Sequence, residues 1–73
     1  MNIEKKNFII KFGKNLQRIR VQKKLTQAQL AADSNVEISQ ISRIERGVLN
    51  TSLGNIYAIS KALDIPIDEL FKF

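Results

Sequence analysis

The sequence predicts an all-α fold, a compact bundle of five helices forming one domain over residues 1–73. Three observations predict it. Apolar residues recur at spacings of three and four along most of the chain, which is the period of a helix with one face buried. Residues that start and stop helices bracket each of these segments. The chain is also small: at 73 residues only about 60–65% of the unfolded surface can be buried, and helix packing is the economical way to do it. Cysteine and histidine are both absent, so no disulfide, thiolate metal site or imidazole ligand supplements the core.

The first helix can start from Asn2, with Glu4 favourably placed in its first turn, or from Asn7; the earlier start is preferred. Phe8, Phe12, Leu16 and Ile19 form its apolar stripe, widened by Ile9. Gly13 interrupts the stripe at a cost of about 1 kcal/mol relative to Ala, and in a helix that crosses others it permits close contact.

The segment 27–46, QAQLAADSNVEISQISRIER, reads as two short helices joined by a tight turn. Thr26 followed by Gln29 is a capping box that starts a helix at Gln27. Leu30, Ala31 and Ser34 share one face, with small Ala31 where a second helix must come close. Asn35 stands where the chain turns, in the left-handed region that Asn tolerates. Val36, Ile41 and Ile44 then mark a second inward face, and Gly47 ends that helix.

A fourth helix is expected from about Ser52 to Leu63, capped by Thr51 or Asn50, with Leu53, Ile56, Ile59, Ala62 and Leu63 inward and Tyr57 outward. Asp64-Ile65-Pro66 breaks it, and Ile67–Phe71 supplies a last short helix.

Thr26-Gln27, Leu30-Ala31, the turn at Asn35-Val36 and the run Ile41-Ser42-Arg43-Ile44-Glu45-Arg46-Gly47 together resemble the Xre family, the small helix-turn-helix DNA-binding domains of lambda repressor and Cro type. The likeness continues through the C-terminal helices. Two positions depart from the family pattern: Asn35 stands where Gly is commonest, and Glu37, a poorer cap, stands where Ser or Thr is frequent. The resemblance implies a lambda-repressor-like fold with the helix-turn-helix formed by helices 2 and 3.

It also implies roles. Ile38, Ser39 and Arg43 match the base-reading positions of the recognition helix, and Arg20 and Glu45 match a partly buried ion pair tying the first helix to it. The chemistry suits those positions: Arg43 can bond guanine O6 and N7 together, Ser39 can donate or accept, and Ile38 fits a thymine methyl. Gln40 is a further base-reading candidate, and Gln27, Ser42, Arg46, Asn50 and Thr51 are the candidates for phosphate contacts. Pairing through the final helix is usual in the family, and Ile65, Ile67, Leu70, Phe71 and Phe73 hold more apolar bulk than one helix end buries in its own domain, so they are the expected dimer contact.

The net charge of +5 favours a polyanion. Lys5, Lys6, Lys11, Lys14, Arg18, Arg20, Lys23 and Lys24 all precede the motif, while Asp64, Asp68 and Glu69 cluster near the end. No apolar run approaches a signal peptide or a membrane span, so a cytoplasmic location is expected. An enzyme is disfavoured, because without His or Cys there is no ready nucleophile and base pair. No cofactor, metal or small-molecule ligand is expected. The expected partners are double-stranded DNA and a second copy of the chain, in a repressor or autoregulator that reads a palindromic operator. The alternative is an antitoxin-like subunit or an adaptor whose main role is binding another protein, since this fold need not imply this function.

Overall fold

Three of the four α-helices begin on a residue whose side chain caps them, and all four end in one common way. The computed structural model describes Asn2–Phe73: α1 is Ile3–Gln22, α2 Gln27–Ser34, α3 Ile38–Glu45, α4 Leu53–Leu63, and a 3₁₀ helix follows at Ile67–Phe71. There is no strand among the described residues. The Asn2 side chain accepts from the Lys5 amide at 2.8 Å, so α1 takes the earlier of its two starts. The box at Thr26 and Gln29 closes in both directions, at 3.0 and 2.8 Å. Glu37 makes no side-chain cap, leaving the first turn of α3 uncapped by its own N-cap residue.

All four α-helices stop in a left-handed residue: Lys24, Asn35, Gly47 and Asp64 have φ of 61°, 56°, 75° and 56°. In each case the next amide reaches back five residues, Leu25 to Arg20, Val36 to Ala31, Val48 to Arg43 and Ile65 to Ser60, at 3.0–3.2 Å. This satisfies carbonyls that the helix end would otherwise leave free. Three of those four following residues, Leu25, Val36 and Ile65, also lie in or against the core, so the stop signal and the packing fix the same chain direction.

Phe12, Leu16 and Ile19 from α1, Leu30 and Ala31 from α2, Val36 from the turn, Ile41 and Ile44 from α3, Ile59 and Leu63 from α4 and Leu70 form one buried cluster. The bundle therefore contains four α-helices and a 3₁₀ turn where the sequence predicts five helices. Five residues cannot repay the cost of nucleating an α-helix, and i→i+3 bonds such as Glu69 to Pro66, at 3.0 Å, suit so short a piece.

Three further expectations are corrected. The cap of α4 is Ser52, whose hydroxyl accepts from the Asn55 amide at 3.1 Å, while Thr51 Oγ1 accepts from the Asn55 side chain instead. Leu53, expected inward, is 75% exposed, because as the first residue of α4 it precedes the turn that meets the core. Phe8 is half exposed, since α1 runs beyond the core at its N-terminal end, and its ring meets Phe71 and Phe73.

Gly13 is where α1 crosses the end of α3. A Cβ built there would lie 2.0 Å from the Ile44 carbonyl oxygen and 2.9 Å from that of Glu45. Gly54, exposed near the start of α4, would place its Cβ no closer than 3.9 Å to a neighbour. The two glycines should therefore respond to Ala with opposite signs. In urea titrations, Gly13→Ala is expected to lose about 1–3 kcal/mol through overpacking, and Gly54→Ala to gain up to about 1 kcal/mol through helix propensity. A neutral or stabilising Gly13→Ala would remove the argument for close helix crossing.

Candidate nucleic-acid interface

A carboxylate buried beneath α3 organises this face. The Arg20 guanidinium grips Glu45 with two bonds, Nε to Oε2 at 2.6 Å and Nη2 to Oε1 at 3.0 Å, and its third arm, Nη1, donates to the Leu25 carbonyl at 2.7 Å. Gln27 Nε2 donates to Glu45 Oε1 at 3.0 Å. The end of α1, the loop after it, the first residue of α2 and the last of α3 are thus joined at one point. The Glu45 side chain is 2% exposed and that of Arg20 is 11%. A charge so placed requires its partner, because the fork supplies the bonds that water would have given. The hydrogen bond to Glu45, assisted by its charge, raises the Arg20 pKa above the ordinary arginine value, with burial opposing. A raised pKa means the arginine's contribution persists at every pH below its unfolded value, so nothing on its side of the pair weakens at neutral or moderately alkaline pH.

With Ile41, Ile44 and Glu45 turned inward, α3 presents its opposite side to solvent. Ile38 is 50% exposed, and Ser39, Arg43 and Arg46 are exposed as well; Gln40 and Ser42 are half-buried at the flanks. Among the described residues neither Arg43 nor Arg46 is paired with a carboxylate. Asn50 is exposed and Thr51 half-buried in the loop before α4. An α-helix such as α3, with its side chains, is roughly 10–12 Å across, and a B-DNA major groove ~12 Å wide admits it.

Two of the sequence-selected side chains are already engaged. The Gln27 amide is spent on Glu45, which leaves its backbone N–H, at the start of α2, as the group free to meet an anion. The Gln40 carbonyl oxygen accepts from Asn55 Nδ2 at 3.1 Å, and the same nitrogen reaches Thr51 Oγ1 at 3.1 Å. Asn55 thus ties α3 to the start of α4. Nothing in its sequence neighbourhood singles it out, because its partner Gln40 is fifteen residues away.

The expected dimer set divides. Leu70 has no exposed surface and belongs to the core, where the short 3₁₀ turn drives it between α1 and α4, so it is unavailable to a second copy. Ile65 is half-buried against the same core. Ile67, Phe71 and Phe73 remain 37%, 39% and 51% exposed. Phe71 packs on Phe12 with ring centroids 5.1 Å apart, and Phe73 on Phe8 at 5.4 Å. Sequence reasoning passed over Asn15, buried at 4% exposure, although its position three residues after Phe12 and four before Ile19 puts it at the edge of the α1 stripe.

The family model described as Helix-turn-helix matches residues 16–70, spanning α2, α3 and most of what supports them. The chain belongs to the Xre-type helix-turn-helix family. Its members are DNA-binding transcription regulators. The chain is 40% identical over 68 residues to the control protein C.BamHI of Bacillus amyloliquefaciens, covering 92% of this chain and 84% of that one. To the control protein C.MunI of a Mycoplasma species it is 40% identical over 63 residues, covering 85% of each. Among solved structures, the restriction-modification controller protein C.AhdI of Aeromonas hydrophila superposes with a TM-score of 0.85 at 43% identity, over 86% of this chain and 96% of that one. These relatives are regulators, not enzymes, and no described helix is long and apolar enough to cross a membrane.

Because the Arg20 fork supports three elements at once, Arg20→Ala should strand the Glu45 charge and cost about 3–5 kcal/mol. A domain of 73 residues has roughly 4–11 kcal/mol in all, so thermal unfolding should show a strongly lowered Tm or a partly unfolded population at 25 °C. A loss below about 1 kcal/mol, the range of exposed pairs, would show that the pair does not hold α3.

Proposed function

We propose that this helix-turn-helix regulator is a sequence-specific double-stranded DNA-binding protein of the controller type, acting in the cytoplasm as a homodimer on a palindromic or near-palindromic operator. The observation that carries the reading is the outward face of α3, on which Arg43 stands exposed while the opposite face is fixed to α1 and α2 through Glu45. In the major groove Arg43 would bond a guanine through both O6 and N7. Ser39 would donate to or accept from an adjacent base edge, and Ile38 would cover a thymine methyl. Gln40 would offer a base its amide NH2 and the one lone pair of its oxygen that Asn55 leaves free.

Phosphate contacts from the Gln27 backbone N–H, Ser42, Arg46, Asn50 and Thr51 would set register without carrying sequence information. Two copies, paired through the exposed Ile67, Phe71 and Phe73 with Ile65 at the margin, would set their recognition helices about 34–36 Å apart, one DNA turn. The similarity to control proteins over nearly their full length supports a regulator that acts on its own operator, as a repressor or autoregulator.

Selection from random duplexes by the purified chain is expected to return an inverted repeat, with binding that weakens steeply as salt rises. Arg43→Ala should lose about 1–3 kcal/mol and its preference at one base pair in each half-site. Unchanged affinity and preference would remove α3 as the reading helix, and weak attraction without preference would favour the adaptor reading.

Phe71→Asp with Phe73→Asp, chosen in place of buried Leu70, should convert a sedimenting dimer to monomer while the helical circular dichroism stays intact. An unchanged mass would exclude this surface as the contact.

A further inference from the structure

We propose that Asn15, braced by Arg18, is the positioning residue that sets which side of the C-terminal segment faces a second copy; the inference rests on the dimer reading above. Asn15 is 4% exposed, and its Nδ2 donates to the carbonyls of both Glu69 and Leu70, at 3.0 and 2.9 Å. Its Oδ1 accepts from Arg18 twice, from Nε at 3.2 Å and from Nη2 at 2.6 Å. Arg18 Nη1 is in turn held by Gln22 Oε1 at 3.2 Å. Both ends of the amide are satisfied, so its orientation is fixed by bonds on either side.

A 3₁₀ helix of five residues has little stability of its own. Leu70, buried with no exposed surface, fixes how deep the segment sits but does not by itself fix its rotation. Two successive carbonyls received by one amide group do fix it, because both must point at α1 together. With Glu69 and Leu70 so directed, Phe71 is turned against Phe12 and Phe8, and Phe73 against Phe8, and together they form the half-exposed aromatic face. The guanidinium on Oδ1 polarises the amide and strengthens the bonds its NH2 group donates. Arg18 thereby acts through Asn15 on the C-terminal segment.

The test uses Asn15→Asp in the full chain, a change that keeps the side-chain shape and the Arg18 contact but sets a carboxylate oxygen against the two carbonyls. Sedimentation should show dimerisation weakened tenfold or more, while affinity for a duplex carrying a single half-site stays within twofold. Hydrogen exchange should accelerate in residues 67–73 and leave α2 and α3 unchanged. A folded Asn15→Asp with unchanged dimerisation and unchanged exchange overturns the proposal, as does equal acceleration in every helix, the mark of a merely structural role.

If that variant does not fold, Arg18→Ala, which removes only the brace, decides by the same readouts: a smaller shift of the same kind upholds the proposal and none overturns it. A wild-type chain that sediments as a monomer at all concentrations overturns the dimer reading by itself. Exchange confined to 67–73 would then still uphold Asn15 as the residue that orients the segment.

Discussion

The carboxylate of Glu45 is the point on which this molecule depends. It receives the Arg20 fork from α1 and the Gln27 amide from α2 while belonging to the last turn of α3, so three helices meet on two oxygen atoms. A hydrophobic contact is tolerant of rotation; a planar guanidinium on a planar carboxylate is not. The pair therefore fixes the tilt and rotation of α3 more than it adds stability. Gly13 acts in the same place by a different means. It lets α1 approach the Ile44 and Glu45 carbonyls closer than any side chain would allow, and so sets the distance at which the fork closes.

Around that point the chain divides the labour of its polar groups. Those on the inner sides of the helices are spent on one another: Asn15 on the carbonyls of Glu69 and Leu70, Ser34 on that of Leu30, Ser60 on that of Tyr57. Among the described residues no fully buried side-chain nitrogen or oxygen of a non-exposed residue lacks a partner. The outer side of α3 keeps its groups unspent, with Ser39, Arg43 and Arg46 exposed. Gln40 lies on the boundary between the two sets, half-buried and held by Asn55, and it joins α3 to the start of α4. The proposed reading surface depends on this separation, since side chains held by internal bonds are less free to meet base edges and phosphates.

The C-terminal segment shows the same economy in a smaller compass. One side chain, Leu70, goes into the core; its own carbonyl and that of Glu69 accept from Asn15, and the Phe71 ring after it lies at the surface. The Lys72 ammonium, with a pKa raised by its hydrogen bond to Glu69 and by the nearby Asp68, adds only an exposed ion pair at the rim, of a kind that contributes little to stability.

Much of this was legible in the residues alone, because the signals are local. A capping box, an Asn or Gly in the left-handed region, and apolar residues three and four apart each act within one or two turns, so the bounds of α2 and α3, the turn at Asn35 and the stop at Gly47 follow from neighbours in the chain. The family resemblance supplied the Arg20–Glu45 pairing, which spacing alone does not imply across twenty-five residues.

What only the tertiary structure decided is what depends on partners distant in sequence. Leu70 lies in the core with no exposed surface, Phe8 is half exposed against Phe73, and Leu53 faces solvent, because periodicity gives a face but not what that face meets. Asn15 reaches residues fifty-four and fifty-five positions away, and Gln27 and Gln40 are claimed by Glu45 and Asn55. A hydrogen bond forms wherever folding brings donor to acceptor, and that meeting is set by the packing of all the helices together.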